Sequence, residues 1–287
     1  MLPELKIRLE FASSPHYDVR KRAGNQVCFH STGSMRSDKS NRSDQSDRSD
    51  QTDRSDKSDG SDGSDSKDQE GSTQMTHTPN WASPEDEAGL TENEIRDLIC
   101  EIGRRVWIKD MADCNAGNMS YRLDRERVLT TPTLISKGFM EPDDLVVVDV
   151  QGNKLAGKRN LTSEVRMHLG VYAARPDVRA VIHAHPRNAL VFAVTGLAPA
   201  SGVLTEVEDT IGAIALVPYA PSGTQAFADA LKPHLAGHSA FILSQHGALT
   251  VGRGLIEAFW AMETLETYCG VLLAARSLGE VRKIPGS

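Results

Sequence analysis

The sequence predicts an α/β chain of the α+β type, built around a mixed or antiparallel β-sheet that helices cover. Three features indicate this class. Short β-branched segments alternate along the chain with amphipathic helical segments. A short turn joins two of the predicted strands, and such hairpins favour antiparallel pairing. All of these segments lie in the C-terminal part of the chain, which is long enough to bury one hydrophobic core.

Residues 1–80 are predicted to form a disordered N-terminal extension. Not one aliphatic or aromatic residue occurs between Arg36 and Gln74, and residues 37–66 repeat Ser-Asp-x with a period of three. Such a tract cannot bury a core, and it lacks the ligand spacing of a calcium-binding loop. The extension is therefore expected to have no chemistry of its own.

Residues 81–287 are assigned to a single folded domain. One hypothesis is that translation starts at Met75, and peptides from residues 1–70 in the natural protein would contradict it. The net charge of −7 and the pI near 5.7 argue against a general nucleic-acid binder. The four cysteines are scattered without a C-x-x-C pair, and the sequence has no run of 18 apolar residues and no apolar leader. These features predict a cytoplasmic protein without a membrane span.

The domain is predicted to open with an amphipathic helix that begins at Thr91 and ends near Asp110. Thr91 and Glu94 have the spacing of a capping box, and apolar residues recur behind them at helical intervals. Two strands follow at residues 119–123 and 127–131, and the short polar turn between them predicts a β-hairpin.

The middle of the domain is predicted to contain a strand, a helix and a second strand. The β-branched residues 145–150 predict the first strand. A helix is expected to begin at or near Thr162 or Ser163, since both side chains suit an N-cap. The apolar run that carries His183 and His185 predicts the next strand. The remaining predicted elements are helices at residues 186–194, 223–235 and 254–278 and strands at residues 213–217, 240–243 and 248–251.

Three histidines and one glutamate are candidate metal ligands. A single residue separates His183 from His185 in a predicted extended strand, so their side chains are expected to point to the same face, where two imidazoles can bind one metal ion. His246 stands where a strand meets the turn at Gly247, and Glu164 stands at a helix start. Each residue alone also has an ordinary interpretation, as a surface or turn histidine or as a charge that favours a helix N-terminus.

Six motifs, taken in order, resemble the class II aldolase/adducin family, most closely its fuculose-phosphate aldolases. The resemblance covers approximately residues 92–278. The motifs are residues 117–120 (GNMS), 131–133 (TPT), 162–164 (TSE), 183–186 (HAHP), 218–224 (PYAPSGT) and 245–247 (QHG).

The resemblance implies a central, mainly antiparallel sheet flanked by helices in three layers, and a cyclic homotetramer. It implies a Zn²⁺ ion, with Glu164 as the catalytic acid/base that also ligates the metal when substrate is absent. The other implied ligands are His183, His185 and His246. Phosphate would be bound by neutral donors and helix-start amides, and the implied residues are Asn118, Thr133, Thr162 and Ser163.

The implied activity is that of a metal-dependent aldolase acting on a sugar phosphate, with no nucleic-acid or membrane partner. A ketose 1-phosphate such as L-fuculose 1-phosphate would be cleaved to dihydroxyacetone phosphate and an aldehyde. This reaction leaves an enediolate, whose charge a Lewis-acidic Zn²⁺ stabilises. Glu164 would then move a proton to or from the enediol carbon.

Two departures from the fuculose-phosphate aldolase pattern concern the substrate. Leu134 stands where those enzymes have glycine, which lets backbone amides approach a phosphate closely. Lys137 could supply charge there instead. The tyrosine that assists proton transfer in those aldolases has no clear counterpart, because the corresponding residues 203–206 read Val-Leu-Thr-Glu.

Other functions within the same family remain open. One is a methylthioribulose-1-phosphate dehydratase, or another sugar-phosphate lyase or epimerase. The ribulose-phosphate 4-epimerase branch carries Asp where this chain has Glu164, which favours aldolase or dehydratase chemistry. A different class is a non-catalytic, adducin-like interaction module, which would have no need for three imidazoles and a carboxylate at one point.

Overall fold

A computed structural model describes residues 83–286 of the chain. The predicted disordered extension and the hypothesis about Met75 concern residues outside this range. Within it lie one eight-stranded sheet and six α-helices. None of the described helices has the length and apolar content that crossing a bilayer requires.

Helices and strands are interleaved along the chain. The helices are α1 (Glu92–Ile108), α2 (Val165–Ala174), α3 (Arg187–Thr195), α4 (Thr205–Thr210), α5 (Gln225–Leu231) and α6 (Leu255–Leu278). The strands are β1 (Asn118–Arg122), β2 (Arg127–Thr130), β3 (Val146–Asp149), β4 (Lys154–Ala156), β5 (Ala180–Ala184), β6 (Ile214–Val217), β7 (Ala240–Leu243) and β8 (Gly247–Gly252).

The strands form one sheet in the order β4-β3-β2-β1-β5-β8-β7-β6. Neighbouring strands are antiparallel except for β6 and β7, which are parallel. The predicted fold class, a mainly antiparallel sheet with covering helices, is therefore confirmed.

Helices cover both faces of the sheet and give it three layers. Side chains of α1, α3, α4 and α6 share one apolar core with the sheet, and those of α2 and α5 share the other. Strand β5 shows how the sequence divides them, since Ile182 lies in the first core and Val181 in the second. Alternation then places His183 on the face of Val181, toward α2 and α5.

Acidic side chains take part in the N-terminal caps of two helices. The predicted capping box of α1 is present, because Thr91 N donates to Glu94 Oε2 at 2.8 Å and Glu94 N donates to Thr91 Oγ1 at 3.4 Å. The start of α3 is capped from α6, where Glu266 accepts hydrogen bonds from Asn188 N at 2.9 Å and Ala189 N at 3.0 Å. The second cap holds the start of α3 directly after the His183/His185 segment.

Two elements were not predicted. Strand β4 has only three residues, all exposed, and α4 has only six. Neither is long enough to show a periodic apolar pattern, which is the main signal of secondary structure. The helix predicted over residues 223–235, with its end disturbed by Pro233, is α5, which ends at Leu231 and continues into a 3₁₀ turn that contains Pro233.

One edge of the sheet collects the ends of several elements. Asn118, the first residue of β1, pairs with His183 near the end of β5, and Ala184 pairs with Ala248 near the start of β8. Helix α2 also begins here. The motif residues that are far apart in sequence therefore meet at this edge.

Candidate metal centre and adjoining cavity

Three imidazoles meet at the sheet edge. The Nε2 atom of His183 lies 3.2 Å from Nε2 of His185 and 3.1 Å from Nε2 of His246. The candidate ligand nitrogens of all three lie within 4.8 Å of one another. His185 comes one residue after β5 ends but still faces its partner, as strand alternation predicts. This cluster could hold one metal ion.

The backbone keeps the ring of His183 in an orientation suited to a ligand. Its Nδ1 atom lies 2.8 Å from the carbonyl oxygen of Ala248, so this nitrogen carries the proton and donates it. The Nε2 atom then presents a lone pair to the cluster. Burial lowers the pKa of His183 to about 3, and the imidazole is therefore neutral, as metal ligation requires.

Gly247 explains why a glycine follows His246. A Cβ atom at this position would lie 2.6 Å from both Ala184 O and His185 Cδ2. Both distances are shorter than real Cβ contacts, so any side chain would displace His185 or the end of β5. The glycine therefore permits the close approach of β8 to the histidine segment.

Glu164 turns its side chain toward the histidines and away from the helix that it precedes. It is the N-cap residue of α2, but its carboxylate makes no capping hydrogen bond. Its Oε2 lies 3.3 Å from His183 Nε2, and its Oε1 lies 2.9 Å from His246 Nε2. The structure thus brings the carboxylate oxygens to two of the three imidazoles, and the interpretation of Glu164 as a simple helix-dipole charge does not describe it.

The surroundings of Glu164 hold it in the ionised form. Burial by itself raises the pKa of this carboxyl, but hydrogen bonding with His246 and the hydrogen bonds from Ser222 and Asn118 outweigh it and lower the pKa. Asn118 Nδ2 donates to Oε2 at 2.8 Å, and Ser222 Oγ donates to Oε1 at 2.5 Å. The carboxylate is therefore negatively charged at neutral pH.

Ser222 was not predicted as a site residue. It belongs to the matched motif at residues 218–224, but its sequence position offers no partner, since Glu164 is 58 residues away. Gly223 follows it with φ at +74°, in the left-handed region, and a Cβ there would lie 3.2 Å from Ser163 O. The sequence shows only a serine followed by a glycine, a pattern that predicts a turn. It does not show that the serine side chain contacts Glu164.

All eight predicted site residues line one cavity of about 180 Å³. They are Asn118, Thr133, Thr162, Ser163, Glu164, His183, His185 and His246. Two backbone contacts join the loops that carry the threonines: Thr133 N donates to Asn160 O at 3.1 Å, and Pro132 forms a β-bridge with Leu161. The cavity therefore offers hydroxyl and amide donors beside the candidate metal ligands, a donor set suited to an anion.

The loop after Thr133 keeps a glycine-like backbone without glycine. Leu134 has φ at +58°, in the left-handed region, and its side chain is 65% exposed. The backbone shape that a glycine would give is thus retained, at a cost of about 1–2 kcal/mol for an L-residue. The substitution does not close the loop against a phosphate.

Lys137 does not line the cavity. Its side chain is buried, and its Nζ atom donates to Ile135 O at 2.9 Å and to Asn115 O at 3.3 Å. Burial lowers the pKa of Lys137 to about 8. The lysine therefore lies behind the loop of Asn115, which itself lines the cavity, and any charge that it supplies acts through that loop.

The donor set fits a divalent transition metal. Neutral imidazole nitrogens with one carboxylate oxygen are the ligand types of catalytic zinc sites, and they also suit several neighbouring metals. The hydrogen bond from His183 Nδ1 to a backbone carbonyl is the outer contact that metal-bound histidines usually make.

Comparisons with known proteins agree with this geometry. A family model described as the Class II Aldolase and Adducin N-terminal domain matches residues 97–273, a range that contains all eight site residues. The 3-oxo-tetronate 4-phosphate decarboxylase of Haemophilus influenzae is 29% identical over 62% of this chain and 86% of its own. The L-fuculose phosphate aldolase of Methanococcus maripaludis is 33% identical over 53% of this chain and 81% of its own. A solved structure of L-fuculose 1-phosphate aldolase, 28% identical, has a TM-score of 0.63 and covers 67% of this chain and 91% of its own.

Proposed function

Because this chain belongs to the class II aldolase and adducin family, we propose that it is a Zn²⁺-dependent lyase of sugar phosphates. Its reaction would cleave a ketose 1-phosphate, such as L-fuculose 1-phosphate, to dihydroxyacetone phosphate and an aldehyde. The observation that supports this most is the convergence of three imidazoles and a carboxylate beside a cavity lined by neutral donors. A cytoplasmic homotetramer, as in the family pattern, is part of the same proposal.

His183, His185 and His246 would hold the Zn²⁺ ion, and Glu164 would be a fourth ligand only when substrate is absent. When bound, the ion supplies Lewis-acid stabilisation of the negative charge that develops on the enediolate oxygens. The three imidazoles bring no charge of their own, so the ion keeps its full electrophilic character. The protein thereby avoids any need for a covalent intermediate.

The phosphate group would bind among Asn118, Thr133, Thr162 and Ser163. These residues offer an amide, hydroxyls and nearby backbone N–H groups, which bind a phosphate without a rigid ion pair. Anchoring this end fixes the carbonyl and hydroxyl carbons of the substrate beside Glu164.

Glu164 would transfer the proton at the enediol carbon. Its two oxygens accept hydrogen bonds from Ser222 and Asn118, which orient the carboxylate toward the cavity. An ionised carboxylate removes a proton in the condensation direction, and its protonated form delivers one in the cleavage direction.

A decarboxylase is the second candidate, and the Haemophilus influenzae relative favours it. Loss of CO₂ from a 3-oxo-tetronate 4-phosphate leaves the enediolate of dihydroxyacetone phosphate. Retro-aldol cleavage of a ketose 1-phosphate leaves the same enediolate. The two reactions therefore need the same phosphate site, cation and proton donor. They differ in the group that departs, CO₂ or an aldehyde, and only departure of the aldehyde requires a base that takes the proton of the substrate's C4 hydroxyl.

A substrate panel separates these candidates. Ketose 1-phosphates, their unphosphorylated sugars and a 3-oxo-tetronate 4-phosphate would be assayed for dihydroxyacetone phosphate, with aldehyde and CO₂ measured in parallel. Release of an aldehyde from a ketose 1-phosphate supports the aldolase, and release of CO₂ supports the decarboxylase. Dehydration of a methylthioribulose phosphate without dihydroxyacetone phosphate would point to the dehydratase.

Metal analysis tests the site itself. We expect one zinc ion per chain in purified protein and its loss in His183→Ala. Absence of any bound metal, together with no turnover of any compound in the panel, would favour the non-catalytic, adducin-like alternative.

Glu164→Gln tests the proton transfer. The variant keeps the shape of the side chain and should retain metal, but it should lose a factor of about 10² or more in kcat. Glu257→Gln, a change at a surface carboxylate paired with Arg253, serves as the matched control and should behave as the wild type. Near-normal activity of Glu164→Gln would refute the assigned role.

A further inference from the structure

A chain of buried polar side chains runs from Glu164 away from the cavity. Asn118 Nδ2 donates to Glu164 at 2.8 Å, and Asn118 Oδ1 lies 2.5 Å from Nε2 of His168. The other ring nitrogen of His168 lies 2.7 Å from Ser120 Oγ, which lies 2.7 Å from the hydroxyl of Tyr172. All five residues are buried. The chain crosses from the start of α2 to its last turn beneath the sheet.

The carboxylate at one end decides the direction of every hydrogen bond in this chain. An ionised carboxylate only accepts, so Asn118 must present its NH₂ group to Glu164 and its oxygen to His168. That oxygen also only accepts, and Nε2 of His168 must therefore carry the proton. The Nδ1 atom then has a lone pair and accepts from the hydroxyl of Ser120. One arrangement satisfies the whole chain.

The reverse arrangement would place two acceptors against each other. If His168 carried its proton on Nδ1, its Nε2 would require a donor, and Asn118 would have to turn its NH₂ group toward the ring. The amide oxygen of Asn118 would then face the carboxylate of Glu164 across 2.8 Å. Because the site is buried, this repulsion would be weakly screened.

We propose that His168 is a positioning residue for the lyase reaction, holding the amide of Asn118 with its N–H groups toward Glu164 and the phosphate. This inference rests on the proposed function, since Asn118 lines the cavity assigned to the phosphate. One N–H of the amide serves Glu164, and the second remains for an anionic group in the cavity. A turned amide would present oxygen to two negative groups.

The position of His168 in the sequence suits this role. It follows Glu164 by four residues, which is about one turn of α2, so both side chains reach Asn118 from one face of the helix. Burial lowers the pKa of His168 to about 4, despite the nearby negative charge of Glu164. The ring therefore stays neutral at physiological pH and keeps one donor and one acceptor nitrogen.

A purely structural histidine is the alternative explanation. His168 is fully buried, and its ring also fills space in the protein interior. A structural role predicts that loss of the ring lowers the amount of folded protein, while the molecules that do fold keep their kcat and KM. A positioning role predicts changed kinetic constants in the folded molecules.

Nitrogen-15 NMR of protein labelled at histidine tests the arrangement without any substrate. The signals of His168 are identified by their absence in His168→Gln. We expect a protonated Nε2 and an unprotonated Nδ1 at neutral pH. A proton on Nδ1, or on both nitrogens, would overturn the proposal whatever reaction the protein catalyses.

Kinetics of two substitutions at His168 test the function. The amide nitrogen of Gln lies as far along its side chain as Nε2 of His, so His168→Gln should retain a donor to Asn118 and stay within about threefold of wild type. His168→Leu should lower kcat about 10- to 100-fold and raise KM, at unchanged metal content per folded chain. Met167→Leu, at the adjacent buried position of α2, is the control for repacking and should keep both constants.

The outcomes separate failure of this inference from failure of the proposed function. Equal kinetic constants for His168→Gln and His168→Leu would overturn the proposal and show that His168 has only a structural role. Absence of turnover in the wild type across the whole substrate panel would refute the lyase, and the NMR result would still decide the direction of the hydrogen-bond chain.

Discussion

Lys137 gives a stability prediction whose sign changes with pH. The side chain is only 2% exposed, and burial lowers its pKa from the ordinary value of 10.5 to about 8. Its ammonium group donates to the backbone carbonyls of Ile135 and Asn115, and it forms no ion pair with any acidic side chain among the described residues. We predict that Lys137→Met is more stable than the wild type at pH 7 and less stable at pH 10.

The magnitude follows from the two pKa values. A lysine whose pKa falls from 10.5 to about 8 on folding destabilises the folded state by about 3 kcal/mol while it is charged in both states, which holds below pH 8. Between pH 8 and 10.5 the folded state has released the proton and the unfolded state still binds it, so wild-type stability rises with pH. Loss of two hydrogen bonds to carbonyls costs the Met variant about 1 kcal/mol each. The variant should therefore be about 1 kcal/mol more stable at pH 7 and about 1 kcal/mol less stable at pH 10, where the unfolded lysine is still mostly charged and part of the wild-type penalty remains.

Urea unfolding measures this difference directly. Trp107 packs against Phe139, which is two residues after Lys137, and its fluorescence reports unfolding. The free energies of unfolding of wild type and Lys137→Met would be compared at several pH values, because titrations of other groups cancel in the difference. A difference that does not vary with pH would refute the reasoning, since it would mean that the folded lysine keeps its ordinary pKa.

Substitutions at three further positions test the local geometry of the site. Gly247→Ala should displace His185, cost about 1–3 kcal/mol of stability and lower the zinc content of purified protein. An unchanged zinc content would show that the backbone at this edge of the sheet shifts to accept the methyl group without moving the histidines. Leu134→Gly should be neutral or up to about 1 kcal/mol stabilising in urea unfolding, because glycine adopts the left-handed backbone without strain, whereas Leu134→Val should destabilise. Glu266→Gln should lower the free energy of unfolding by about 1 kcal/mol, since it removes the charge that caps α3, and an unchanged thermal midpoint would contradict that cap.

The parts of the fold that local patterns control could be predicted from the sequence. The capping box at Thr91 and the amphipathic face behind it place α1, and strand alternation brings His183 and His185 to one face. The short β4 and α4 could not be predicted, because each is stabilised by its neighbours and carries no periodic pattern of its own.

Contacts between site residues that lie far apart in the sequence could not be predicted and became visible only in the structure. The register of β1 against β5 decides that Asn118 lies beside His183, and no local signal encodes that register. No local signal pairs Ser222 with Glu164, which is 58 residues away. The sequence also suggested that Lys137 supplies its charge directly to the cavity, but only the structure shows that its ammonium group binds backbone carbonyls instead. The resemblance supplied the eight site residues, and the structure supplied the hydrogen-bonded groups behind them.

The charges around the cavity give Lys137, which destabilises the fold, a role in binding phosphate. The described residues that line the cavity include no Lys or Arg, and Glu164 gives it a negative charge. A phosphate ester carries nearly two negative charges at neutral pH. A divalent cation at the histidines would offset two of these three charges, and the ammonium of Lys137 behind Asn115 would offset the third. We therefore expect Lys137→Met to weaken the binding of inorganic phosphate about tenfold at unchanged zinc content. An unchanged phosphate affinity in calorimetry would show that the ammonium only joins the two loops whose carbonyls it binds.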